Sequence, residues 1–221
     1  MIMRNLSRFL ALQVLGGLPV RWRARIKNWR GLNLSPIEQL ALIDVDRWIP
    51  KDVPDGTEVL FWRGVPGRGS IYTEAIIALA LQIRGISSRF VICDGAMSGC
   101  IQHTIEDGKP ISEWGKRCRR CVRYGVHILD TFGIPYVGMS ELVSPQQRAE
   151  FRGICDSLRA DDLISYEHSG VPVGQFAKSS AMRYLKGQPL EGHEAVLREY
   201  LYSALVCCDK TPTPFPPCSS N

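Results

Sequence analysis

Residues 58–95, EVLFWRGVPGRGSIYTEAIIALALQIRGISSRFVICDG, decide the fold. Residues 59–62 are an apolar run short enough for a buried strand. A turn containing Gly64, Gly67 and Gly69 follows. Residues 71–83 then read as a helix, apolar on every turn and free of proline. Gly85 stands where a left-handed cap would end that helix, and residues 88–93 start a second strand. Strand, tight turn, helix and strand in so short a stretch make a βαβ unit. Its two strands are predicted to be parallel and joined by a right-handed crossover.

Toward the C-terminus, residues 112–132 predict a helix ended by Gly133 and Pro135, and residues 134–137 a third strand. Ser144-Pro145-Gln146-Gln147 opens a helix by the capping-box pattern, reaching about Leu158. Residues 162–166 read as a fourth strand, leading into His168-Ser169-Gly170-Val171-Pro172-Val173-Gly174 and a helix over 175–185. A last helix covers 190–207. Toward the N-terminus, Ser35-Pro36-Ile37-Glu38 is a helix start, with an N-cap serine and proline at the first helical position. That helix is expected to reach about Ile43, and the turn-rich 50–57 separates it from the βαβ unit. The division expected is a basic helical arm over 1–52, an α/β domain over 53–208 and a disordered proline-rich tail over 209–221. The domain is expected to be Rossmann-like, a parallel sheet flanked by helices.

With 221 residues, 45% hydrophobic and 22% charged, the chain is ample for one sizeable core. The net charge of +5 is uneven. Arg4, Arg8, Arg21, Arg23, Arg25, Lys27 and Arg30 fall in the first thirty residues, which hold no Asp or Glu. A basic arm on a nearly neutral remainder argues for an anionic membrane surface beside residues 1–30 and against nucleic acid as a partner. Residues 3–15 have the pattern of an amphipathic helix, and Trp22 and Trp29 sit among the arginines as in an interfacial anchor. No apolar run approaches the roughly 20 residues of a membrane span. The run over 9–20 lacks a cleavage site and is followed directly by arginines, against a secretory signal. A cytoplasmic location, peripheral on the inner membrane face, is the expectation, with thiols kept reduced.

The cysteines carry the sharpest chemical signal. Cys93 ends the second strand and Cys100 follows seven residues on, while Cys118 and Cys121 form Cys-Arg-Arg-Cys early in a predicted helix. Two thiolates three apart on a helix face the same way, so one metal can take both. Four thiolates would close a tetrahedral Zn2+ site, and an iron–sulfur cluster has the same ligand needs. His103 is available to replace one cysteine. Buried, inert thiols are the plainer alternative. Cys155 reads as core, Cys207 and Cys208 are adjacent, and Cys218 lies in the tail.

Gly64, Gly67 and Gly69, with Arg63 and Arg68 beside them, stand at the carboxyl end of a parallel strand. That is where open α/β sheets collect ligands, although the spacing matches neither the dinucleotide fingerprint nor a P-loop. His168, between a predicted strand and the helix start flanked by Gly170 and Gly174, is the histidine placed to act as a base. No Ser-His-Asp order, HExxH or G-x-S-x-G supports hydrolysis.

The segment GVPGRGSIYTEAIIALALQIRG between its two strands resembles the N-terminal Rossmann-like half of GT-B glycosyltransferases. CDGAMSGC, CRRC and SGVPVGQFAKSSAMRYLKG before a long helix are similar to bacterial proteins of surface or capsular polysaccharide biosynthesis, over residues 58–208. The resemblance implies a domain that holds a glycan acceptor, with Gly67, Arg68 and Gly69 along the cleft and His168 as base. A second domain or partner chain would then grip the nucleotide-sugar donor, because only the short tail follows the last helix. The rival expectation is a non-catalytic docking module stapled by its cysteines.

Overall fold

The computed structural model describes residues 18–42, 49–50, 58–66 and 70–208. The expected amphipathic helix over 3–15, the glycine-rich turn residues Gly67, Arg68 and Gly69, the tail and Cys218 lie outside the described residues.

Helix α1 is Val20–Trp29 and α2 is Pro36–Ala41. Strand β1 is Glu58–Arg63, α3 is Ser70–Ile83 and β2 is Ser87–Ile92. Two 3-10 turns, Ile105–Asp107 and Ile111–Glu113, precede α4 at Trp114–Phe132. Next come β3 at Tyr136–Gly138, α5 at Met139–Leu142, α6 at Pro145–Ser157, α7 at Ala160–Ser165, α8 at Val173–Tyr184 and α9 at Glu194–Cys208.

The sheet is parallel, with order β1-β2-β3, flanked by helices. The two strands of the expected βαβ unit are therefore neighbours, but β1 is not the buried strand expected: it lies at the sheet edge with Leu60 and Trp62 exposed. The Cys93 amide donates to the Arg63 carbonyl at 3.0 Å, and the Phe90 amide to the Pro135 carbonyl at 2.9 Å. Phe61 and Phe90 stack with ring centroids 4.6 Å apart. Gly85 has φ +75° and ends α3 as its position implied, with the Ile86 amide reaching back to the Leu81 carbonyl at 3.0 Å. Strand order runs 1-2-3 without reversal, so the described sheet has no switch point between strands where a ligand crevice would open.

One expected element is wrong. Residues 162–166 are not a strand: Ala160–Ser165 is helix α7. Short apolar runs are ambiguous in period. Here Asp161 and Asp162 fall in the first helical turn, where their charge suits the helix dipole.

The chain forms two compact units: Met1–Phe61, Arg68–Phe90 and Tyr124–Tyr136 make the first, and Trp62–Gly67, Val91–Arg123 and Val137–Asn221 the second. In the first, Val20 and Ala24 of α1, Ile71, Ala75 and Ala78 of α3, and Ile128 and Leu129 of α4 are buried. The α2 start is fastened by Glu38, which is 1% exposed. Its carboxylate accepts from the Ser35 amide at 2.8 Å, from Arg23 Nε at 2.8 Å and from Lys27 Nζ at 3.0 Å. Burial by itself would raise the Glu38 carboxyl. The bonds from Lys27 and Ser35 outweigh that and hold it at about 2.

In the second unit, α9 packs along α8 and α6 around a core containing Phe151, Cys155, Leu163, Leu201 and Leu205. The expected capping box of α6 is present. The Ser144 amide donates to Gln147 Oε1 at 2.9 Å, and the Gln147 amide to Ser144 Oγ at 3.1 Å. Arg152 lies 3.7 Å over the Tyr202 ring and pairs with Glu199 at 2.9 Å, clasping α6 to α9.

Candidate functional site

The segment between β2 and α4 is mostly irregular, so its backbone groups need partners outside a ladder. Many come from α8 and α9. The Gly99 amide donates to Ser203 Oγ at 2.8 Å, the Tyr200 hydroxyl to the Cys100 carbonyl at 2.9 Å, and Arg183 to the Ile101 carbonyl at 2.9 Å. Gly99 lies against α9 so closely that an added Cβ would stand 2.7 Å from Tyr200 Cα and 2.8 Å from the Glu199 carbonyl oxygen. This anchoring folds residues 93–103 back over the first turns of α4.

A small cavity of about 20 Å3 results, at the carboxyl ends of β1 and β2. Cys93, Cys100, Cys118 and Cys121 all line it, together with His103, Arg117, Gln102 and the Gly64-Val65-Pro66 turn. All four cysteines singled out in the sequence are thus brought together. Cys118 and Cys121 are one helical turn apart on α4, as their spacing required. Cys93 follows β2 directly, and the backbone amides of Gly95, Ala96 and Met97 are turned toward its sulfur. The Gln102 amide lies 3.5 Å from the Cys100 sulfur.

Every cysteine here is a free thiol. Burial pushes all four up from the ordinary thiol value, Cys100 to about 11, and their mutual proximity adds to the rise at Cys100. Arg117 and Arg63 act in the opposite sense on Cys121. Among the described residues, no group of three or more His, Cys, Asp or Glu side chains is arranged to hold a metal ion as the side chains stand.

His103, read from the sequence as a substitute for one cysteine, is buried and lines the same cavity as the four thiols. The residue is 3% exposed, and its ring stacks on Trp114 with centroids 4.5 Å apart. Burial, reinforced by Arg117 and Arg183, lowers its pKa to about 4, so it is a neutral imidazole. The Thr104–Asp107 turn and the helix-starting Trp114 fix its position, a relationship no spacing rule exposes.

His168 stands elsewhere in the second unit. It follows helix α7 rather than a strand, forms a tight bridge with Val171, and lies edge-on to Phe151 at 5.8 Å. It is not among the residues lining the thiol cavity. Gly170 has φ +77° in that tight turn. Gly174 begins α8 against the Leu163 and Ile164 carbonyls, where a Cβ would collide. Both glycines therefore have structural reasons. Gly64 borders the cavity, and a Cβ there would be 3.2 Å from the Met97 methyl.

Compared with protein-family models, with curated proteins and with solved structures, the chain has no significant match. No helix among the described residues is long and apolar enough to cross a membrane.

Proposed function

We propose that this chain is a non-catalytic binding module whose β2–α4 connection is stapled by one soft metal ion, held by Cys93, Cys100, Cys118 and Cys121 with His103 as an alternative ligand. The observation that carries this reading is the convergence of four thiols and one imidazole on a single cavity. Its volume, about 20 Å3, suits one ion or water and falls far below the several hundred Å3 of a sugar site. A site that small favours a single Zn2+ over an iron–sulfur cluster, which brings several atoms of its own. The amides turned toward Cys93 and the nearby Arg117 and Arg63 would offset thiolate charge. Closing the set requires side-chain rotation and loss of the thiol protons, both of which a metal drives. With all ligand positions filled from the protein, the ion would be structural. Metal analysis of the purified chain, with Co2+ substitution, tests this. About one equivalent and thiolate-to-cobalt absorption are expected. A metal-free protein whose stability ignores both zinc and chelator would remove the staple.

A second reading is the acceptor-side half of a glycosyltransferase-like protein of surface polysaccharide biosynthesis. It is favoured by the adjacent parallel strands β1 and β2, which with the α3 crossover would form a Rossmann-like half, and it is weakened by a strand order that supplies no switch-point crevice. A glycan would have to bind outside the small cavity, on the rim bearing Gly64, with a nucleotide-sugar held by a second domain or partner chain. Calorimetry against acceptor glycans and nucleotide-sugars tests it. Heat from neither, alone or with a candidate donor domain, would leave the docking module as the reading.

A further inference from the structure

Helix α1 carries two tryptophans that the fold leaves outside. Trp22 is 61% exposed and Trp29 is 82% exposed. At about 100° per residue, Trp22, Arg25 and Trp29 lie within about 60° of one another around the helix. Val20 and Ala24, on the opposite side, are buried. Burying one indole would remove a large apolar area from water, so two indoles open on one face make it a candidate docking surface.

Charge around the helix is divided the same way. Arg23 and Lys27, toward the inner side, are both taken up by Glu38, at 2.8 Å each. Arg25 and Arg30 are exposed, form no ion pair among the described residues, and flank the tryptophan pair on either side. The first thirty residues hold no acid at all. The outward face is thus aromatic and cationic, and Arg25 and Arg30 have no acidic partner on it among the described residues.

We infer that this face of α1 docks on an anionic lipid bilayer, with Trp22 and Trp29 at headgroup depth and Arg25 and Arg30 against lipid phosphates. Indole rings, apolar with one N–H donor, suit the membrane–water interface. Unpaired basic residues close to an anionic leaflet each strengthen binding about fivefold. Nucleic acid is the poorer fit, because phosphate-backbone binding rests on many cations rather than on two outward indoles. The contact would be reversible, since one short helix with few free charges is a weak anchor. This inference is independent of the thiol cluster and of any transferase activity.

The test is co-sedimentation of the full chain with phosphatidylcholine vesicles, with and without phosphatidylglycerol, read alongside tryptophan emission. Binding to the anionic vesicles with a blue shift is expected. Arg25→Gln should weaken it about fivefold. The Trp22→Ala/Trp29→Ala pair should weaken it roughly tenfold or more while leaving the circular dichroism unchanged. Three results overturn the inference: no vesicle binding; equal binding by the double tryptophan variant; or concentration-dependent dimerisation that the double variant abolishes, which would make a second copy the cover. Vesicle results leave metal content and glycan calorimetry unaffected, so the readings fail separately.

Discussion

The Nε2 of His103 stands 3.9 Å from the Cys118 sulfur, the imidazole held by its stack on Trp114. Two ligands on one tetrahedral Zn2+, with bonds of about 2.3 Å to sulfur and 2.0 Å to nitrogen, are only slightly closer than that. A loop residue and a helix residue fifteen positions apart are therefore nearly in register for a shared ion.

If they share one, Cys118→Ser and Cys121→Ser should each abolish stoichiometric zinc, while Cys155→Ser, a core thiol on α6, should keep it. His103→Ala distinguishes its two possible parts: a ligand costs most of the zinc, a supporting neighbour roughly 10–100-fold in affinity. Chelator should lower the melting temperature of the wild type to that of Cys121→Ser. Metal binding releases thiol protons, so the zinc should be lost on acidification.

In the metal-free protein, His103 should set an acid limit. An unfolded chain takes up its imidazole proton near the ordinary value of about 6.5, whereas the folded one does so only near 4. Between those values the unfolded state binds more protons, so stability is full above about 6.5 and falls as the pH drops toward 4. The loss should total about 3 kcal/mol. Urea midpoints across that range should show the slope, and His103→Gln should flatten it.

Glu38 gives the same direction in a lower window. Its folded value of about 2 lies below the ordinary carboxylate value, so its contribution is complete above about 4.5 and is lost as pH falls toward 2. Glu38→Gln should destabilise the first unit at neutral pH by roughly 2–3 kcal/mol, since Arg23 and Lys27 keep partial access to water. Wild type and variant should converge in acid. A constant difference from pH 7 to pH 2 would show that the charge contributes nothing.

Gly99→Ala and Gly174→Ala test close approach rather than chemistry. A methyl at Gly99 meets the α9 backbone at 2.7 Å, and one at Gly174 meets two carbonyls of α7. Each should cost about 1–3 kcal/mol or more, because backbone cannot move aside as a flexible side chain can. Gly153→Ala, with open space around its Cβ, is the control and should be neutral or stabilising. Thermal melts of the three compare them directly.

Local signals were legible where a residue acts on its own neighbours. Ser144 and Gln147 announced the start of α6, Ser35 and Glu38 that of α2, and Gly85 the end of α3. The run after Asp161 was misread because a few apolar residues fit either period; as helix α7 it has Asp161 and Asp162 in its first turn and buries Leu163 in the core. Part of the candidate site was legible too. Cys118 and Cys121 share a helix face by geometry alone, and Cys93 ends its strand. His103 was harder to see, since its place depends on Trp114, Tyr200 and Ser203 holding the loop.

The sequence by itself determined the βαβ unit, because the apolar period, the glycine cap and the turn residues act within a few positions of one another. Only the tertiary structure decided that Cys93, Cys100, His103, Cys118 and Cys121 meet at one cavity, and that Glu38 consumes Arg23 and Lys27 while Trp22, Arg25 and Trp29 stay outside. Such meetings depend on how distant segments pack, and chain spacing carries no record of which face is left over once packing is complete.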